Sequence, residues 1–206
     1  MPRRAKAPSP AGPAPQVLCV HGSPREGGNT DLLLEAFARG AEEAGARVEH
    51  VKCRSLTVRP CTGCGACSAD GECVLRDDMD RLYEAVDRAE VLALGAPVYF
   101  LGLPSQVKAC IDRFQPRWAR RYLLGRELGP GRPGAFLSTA GAPVHSVFTC
   151  AQRTVEAWFD VLGVECRANL MYENTDEKGA IRGHPSALEE ARRTGAALVE
   201  LARAPR

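Results

Sequence analysis

Val17-Leu18-Cys19-Val20-His21-Gly22-Ser23-Pro24-Arg25-Glu26-Gly27-Gly28-Asn29-Thr30 is the stretch on which the fold turns. Its first four residues form a short apolar run, as expected for a strand buried on both faces of a parallel sheet. A polar, glycine-rich loop follows. Beyond it Leu32, Leu33, Ala36, Phe37 and Ala41 recur at helical spacing. Strand, loop and helix in this order place loop amides at a helix N-terminus, a ready site for a phosphate monoester. The nucleotide P-loop is excluded, because no Gly-Lys-Ser/Thr follows. The dinucleotide fingerprint is excluded too, because G-x-G-x-x-G is absent. An ordinary strand-to-helix connection with capping residues reads the same way.

Outward from this unit the alternation continues. Val48–Val51 predicts a second strand. Met79, Leu82, Tyr83 and Val86 give a helical stripe behind the acidic start Asp77-Asp78, which suits a helix dipole. Val91–Gly95 predicts a third strand, wholly apolar, and Val107, Cys110, Ile111 and Phe114 the buried face of the next helix. A fourth strand is expected at Ala135–Ser138, a helix over 146–162, a fifth strand at Val164–Met171 and a closing helix over 187–202. Five strands separated by helices imply a doubly wound α/β fold.

Between the second strand and the next helix lies Cys61-Thr62-Gly63-Cys64-Gly65-Ala66-Cys67-Ser68-Ala69-Asp70-Gly71-Glu72-Cys73. The spacing is C-x2-C-x2-C-x5-C, with glycines that let the backbone turn and approach sulfur. Three cysteines at two-residue intervals are like the start of a ferredoxin-type loop, but Cys73 follows after five residues and precedes Val74 rather than proline. Cys61, Cys64, Cys67 and Cys73 can therefore serve one [4Fe–4S] cubane. A zinc knuckle or a metal-free thiol loop are the other readings. Cys19, Cys110, Cys150 and Cys166 read as structural thiols; Cys53, eight residues before Cys61, is a possible substitute ligand. His21 reads as a strand-end residue. Arg113, Arg117, Arg120 and Arg121 surround Trp118, with Pro116 interrupting any clean helix. They read as a solvated face or, more sharply, as a dock for an acidic electron-transfer protein.

A chain of 206 residues fits one domain, expected over 16–206, behind a disordered Pro/Ala-rich tail at 1–15 that lacks an apolar h-region. The net charge of +2 gives no argument for nucleic acid or an anionic membrane. No apolar run approaches the roughly 20 residues of a membrane helix. Nine cysteines, an odd number with four clustered in one loop and the rest scattered, point to a reducing, cytoplasmic setting.

Gly22-Ser23-Pro24-Arg25 followed by Gly28-Asn29-Thr30 resembles the phosphate loop of the flavodoxin-like NAD(P)H-dependent FMN reductase superfamily. Within it, the cysteine spacing looks like that of the iron–sulfur flavoproteins, which carry FMN and a compact-motif [4Fe–4S] cluster. The resemblance covers roughly residues 16–145. It implies a flavodoxin-like sheet of order 2-1-3-4-5 with the cysteine-rich loop after strand 2. It also implies FMN contacts from Ser23, Pro24, Arg25, Gly28, Asn29 and Thr30. Pro97, Val98, Tyr99 and Phe100 resemble the family's flavin-lining Pro-Val-Tyr loop, and Ser138, Thr139, Ala140 and Gly141 its second flavin loop.

A flavin exchanges one or two electrons and a cluster one, so no general acid, base or nucleophile is needed from the chain. The implied function is electron transfer from a one-electron donor such as ferredoxin, in a homodimer or homotetramer. An NAD(P)H-dependent FMN or quinone reductase with a structural cysteine loop is the enzyme alternative. A non-enzymatic thiol or metal redox sensor is the alternative of a different class.

Overall fold

The structure, a computed structural model, describes residues 13–126, 129 and 131–204. The expected tail at 1–15 lies outside the described residues as far as residue 12.

Five strands form one parallel sheet in the order β2-β1-β3-β4-β5. They are β1 (Gln16–His21), β2 (Arg47–Lys52), β3 (Val91–Gly95), β4 (Arg132–Thr139) and β5 (Val164–Tyr172). The three central strands are almost wholly buried, whereas β2 and β5 alternate with exposed positions, as edge strands must. Pairing is in register through Val17↔Val91 and Cys19↔Ala93, and through Leu92↔Gly134.

Because successive strand residues point to opposite faces, each central strand feeds two cores. Leu18, Val20, Leu92, Leu94 and Phe136 face one core, under α3 (Met79–Arg88), α4 (Ser105–Asp112) and α6 (Thr149–Val161). Val17, Cys19, Val91, Ala93, Ala135 and Leu137 face the other, under α1 (Asn29–Glu43) and α7 (Ala187–Arg203). Helices α1 and α7 cross in close contact because two small residues permit it. A Cβ at Gly40 would strike the Arg192 carbonyl, and one at Gly195 the Phe37 carbonyl.

The remaining helices are short. α2 (Cys67–Asp70) lies inside the cysteine loop. α5 (Gln115–Trp118) carries Pro116 in its first turn, where its missing N–H is harmless, and passes into a π-helical turn over Ala119–Leu123. The helix expected over 146–162 divides into a 3₁₀ turn (His145–Phe148) and α6.

The arginines around Trp118 differ from the solvated face or acidic-partner dock that the sequence suggests. Arg113 is 1% exposed. Arg117 pairs with Asp87 and lies over the Tyr83 ring. Arg120 donates to the Gly71 carbonyl at 2.9 Å and pairs with Glu72. Arg126 donates to the Asp70 carbonyl at 2.9 Å. Sequence-local reasoning cannot see these partners, which lie 30 to 56 residues away. The segment is a strap that ties the cysteine loop to the domain.

Candidate functional sites

All five strands run the same way, so the segments after β1, β3, β4 and β5 gather at their carboxyl ends, where doubly wound folds bind ligands. A pocket there is lined by Ser23, Arg25, Gly28, Asn29 and Thr30, by Pro97, Val98 and Tyr99, and by Thr139, Ala140 and Gly141. Thr175, Asp176 and Lys178, from the segment after β5, complete it. In the sequence those last three are marked only by the polar run 173–179 at the end of a strand.

The loop after β1 is braced from beneath. Asp31 is 2% exposed, and its carboxylate meets His21 Nδ1 at 2.7 Å, Arg54 Nη1 at 3.1 Å and the Gly27 N–H at 2.9 Å. Burial would raise the Asp31 pKa, but these partners hold it below the ordinary carboxylate value. Arg54 also donates to the Ser23 carbonyl at 3.2 Å. His21 Nε2 meets His50 Nδ1 at 2.9 Å. Partial enclosure and the neighbouring His21 charge lower the His50 pKa. His21 thus serves at a strand end, as its position suggests.

The site residues divide by what their side chains already do. Asn29 is fully engaged. Its amide nitrogen donates to the carbonyls of Thr175 at 2.7 Å and Glu177 at 2.8 Å, and its oxygen accepts from Gly179 and Ile181. It clamps the β5 segment to the loop rather than presenting its amide to a ligand. Ser23 Oγ accepts from the Arg25 N–H at 3.1 Å. Thr30 Oγ1 is buried without a partner in the protein. A phosphate oxygen at this helix N-terminus would satisfy that orphan, so the residues present fit the phosphate of FMN.

Other expected contacts lie elsewhere. Ser138 is fully buried and donates to the Ala96 carbonyl at 2.8 Å, tying β4 to the end of β3. Pro24 and Phe100 do not line the pocket. Phe100 and Leu101 are both left-handed, with φ of 49° and 64°, in a turn closed by reciprocal Tyr99–Gly102 hydrogen bonds of 2.9 Å. Phe100 is fully exposed at the pocket's rim.

The second site is the cysteine loop. Cys61, Cys64, Cys67 and Cys73 line one cavity of about 370 Å³, together with Arg113, Trp118 and their neighbours. That volume is in the range of small-molecule and cofactor sites and far beyond one ion. Gly63, Gly65 and Gly71 adopt left-handed φ of 66°, 74° and 78°, which curls the chain around it. Burial and then the charges of Cys73, Cys61 and Cys64 push the Cys67 thiol upward. Four thiols around one cavity offer the soft sulfur donors that a metal centre takes. Among the described residues no three His, Cys, Asp or Glu side chains converge on one ion position. A zinc ion needs that convergence, with sulfurs about 2.3 Å from one point; a four-iron cluster spreads its thiolates, one to each iron. Cys53 is not at this cavity. It is buried in the core and its thiol meets that of Cys110.

The two pockets share no lining residue. Helix α4 connects them: it begins just after the 97–104 segment and its last residue, Asp112, lines the cysteine cavity.

A parallel 2-1-3-4-5 sheet with an anion-suited loop at the β1/β3 switch point defines a flavodoxin-like protein. The chain belongs to the NADPH-dependent FMN reductase family, whose pattern matches residues 15–174. It is 44% identical over 111 residues to an iron–sulfur flavoprotein of Archaeoglobus fulgidus, covering 54% of this chain and 50% of that one. It is 35% identical over 127 residues to an iron–sulfur flavoprotein of Methanosarcina thermophila, covering 62% and 64%. The chain spans about half to two thirds of the length of the curated relatives it matches. Among solved structures, a flavone reductase superposes with a TM-score of 0.68 at 20% identity, over 91% of this chain and 62% of that one. The NAD(P)H:quinone oxidoreductase from Methanothermobacter marburgensis superposes with a TM-score of 0.62 at 20% identity, over 90% and 97%. Likeness at this identity speaks for the fold alone.

Proposed function

We propose that this chain is an iron–sulfur flavoprotein that passes electrons from a one-electron donor such as ferredoxin through a [4Fe–4S] cluster to FMN and on to an acceptor. The observation that carries the reading is four thiols around one cavity in a chain of the FMN reductase family. Bound FMN would supply one- or two-electron exchange and the cluster one-electron exchange. The chain's own part is to bind and orient. Thr30, Ser23 and the amides of the loop after β1 hold the phosphate. Pro97, Val98, Tyr99 and the 139–141 segment line the ring. Cys61, Cys64, Cys67 and Cys73 ligate one iron each, under the arginine strap. The pocket's single phosphate loop supports FMN rather than FAD.

Exposed Tyr99, Phe100, Leu101, Trp118, Tyr122 and Leu123 support a homodimer or homotetramer in which copies meet near the two sites. The nine cysteines are all free, which supports a cytoplasmic setting. Among the described residues no helix is long and apolar enough to cross a membrane.

Anaerobic purification with flavin, iron and acid-labile sulfide analysis tests the reading. FMN with about four irons per chain is expected. Flavin alone with rapid NAD(P)H oxidation would instead establish a reductase with a structural cysteine loop. Zinc or free thiols without flavin would establish a sensor.

A further inference from the structure

Among the described residues, the bulkiest fully buried side chain is an arginine, Arg113. A guanidinium out of water requires partners for its charge and its N–H groups. Nη1 donates to Asp77 at 2.7 Å and to the Arg59 carbonyl at 2.8 Å, and Nη2 reaches the Leu75 carbonyl at 3.4 Å. The Arg113 carbonyl accepts from the Tyr83 hydroxyl, which fixes the backbone behind it. One nitrogen is left without any partner: Nε is buried and unbonded.

Asp77 is itself shared. It accepts from the Arg59 N–H and the Met79 N–H, both at 3.1 Å. Arg113 lines the same cavity as the four thiols. Burial opposes its charge, whereas the Asp77 hydrogen bond and the nearby Cys73 favour it. Cys73 likewise acts on Tyr83 behind it. A purely structural Arg113–Asp77 pair explains neither the unpaired Nε–H nor the thiol that shares its cavity. Buried ion pairs are in any case weak contributors to stability.

We propose that Arg113 is the positioning residue of the cysteine centre: anchored by Asp77, it gives its free Nε–H to the Cys73 sulfur and holds a buried positive charge against the cluster. The inference rests on the iron–sulfur reading above. No bond is made or broken. Reduction adds one electron from a one-electron donor, so the cluster with its four thiolates becomes one charge more negative. A fixed cation beside it favours that reduced form and raises the potential.

The test uses the full chain, reconstituted anaerobically. Iron and sulfide content of the wild type comes first, and its failure would sink the iron–sulfur reading itself. Given loaded wild type, Asp77→Asn is compared with Asp77→Asn/Arg113→Met, so that no carboxylate is orphaned. Dye-mediated titration with dithionite, read by electron paramagnetic resonance, should show the reduced-to-oxidised ratio falling about tenfold at fixed potential in the double variant. For a one-electron couple that is about 59 mV. An unchanged ratio in two fully loaded proteins overturns the proposal. Should the double variant not load, Arg113→Lys keeps a charge for Asp77 but lacks the Nε–H. Electron–nuclear double resonance in H₂O and D₂O should then count one exchangeable proton fewer coupled to the reduced cluster. The same count as wild type overturns the proposal.

Discussion

The loop after β1 holds its shape through protein partners alone, whereas the cysteine loop curls its four thiols around a cavity. In the first, Asp31, His21, Arg54 and Asn29 satisfy backbone and side chains from beneath, and the Thr30 hydroxyl is left unpaired. In the second, the chain curls through three left-handed glycines and is tethered from outside by Arg113, Arg120 and Arg126. The difference is one of preorganisation. The loop after β1 stands in near-final form; the four-thiol loop is shaped by its glycines and by the arginines outside it.

The largest expected effect lies in the cysteine loop. Replacing Cys61, Cys64, Cys67 or Cys73 singly by serine should bring iron and sulfide after anaerobic reconstitution to a small fraction of wild type, with FMN content unchanged. Serine at Cys19, Cys53, Cys110, Cys150 or Cys166 should leave both at wild-type levels. If Cys73→Ser kept its iron while Cys53→Ser lost it, the ligand set would be wrong.

Next is the brace. Asp31→Asn removes a buried acceptor of three hydrogen bonds, at a cost of about 2–3 kcal/mol for the charge-assisted part. FMN affinity, read by quenching of flavin fluorescence, should fall roughly 30- to 100-fold, with a lower melting temperature of the flavin-free protein. If melting were unchanged, the loop would not be preorganised and the contrast between the two sites would fail.

Thr30→Val separates binding from folding. Its hydroxyl has no protein partner, so melting of the flavin-free protein should hold or rise. FMN affinity should fall about tenfold, the loss of about 1.4 kcal/mol of hydrogen bonding to phosphate. Ser23→Ala should do less to binding and more to stability, because that hydroxyl already holds the Arg25 N–H.

The smallest effect is the pH dependence. Both Asp31 and His50 have pKa values lowered by folding. The unfolded chain then binds more protons than the folded one between the two values of each group, so stability rises with pH there and acid removes it. Melting of the flavin-free protein should decline gently as pH falls below about 6.5, the unfolded histidine value, and steeply below about 3.9, the aspartate value. His50→Gln should flatten the upper part only. An unchanged upper limb in that variant would remove His50 from the network.

What was legible in the sequence follows from range. The central strands are legible because burial on both faces leaves an uninterrupted apolar run, as in Val91–Gly95, whereas the edge strands show only apolar residues spaced among polar ones. Ser23, Thr30 and the four cysteines stood out because their chemistry is concentrated in short stretches. Asn29 was found in the right place with an unforeseen job, because its partners lie 146 to 152 residues on. Ser138 looked like a loop donor, but register carries it into the sheet. The arginines misled most. Charge in a sequence suggests solvent, and nothing local tells that Arg113 meets Asp77 from 36 residues away.

The left-handed pair Phe100-Leu101 has a consequence for how this chain tolerates change. L-residues pay about 1–2 kcal/mol each for that conformation, and glycine nearly none. A library screened for thermal survival alone should therefore drift toward glycine or asparagine at both positions. A library screened for flavin-linked turnover should keep the aromatic ring that the turn holds out into solvent. Divergence of the two outcomes would record the price, in stability, of whatever contact that ring makes beyond its own chain.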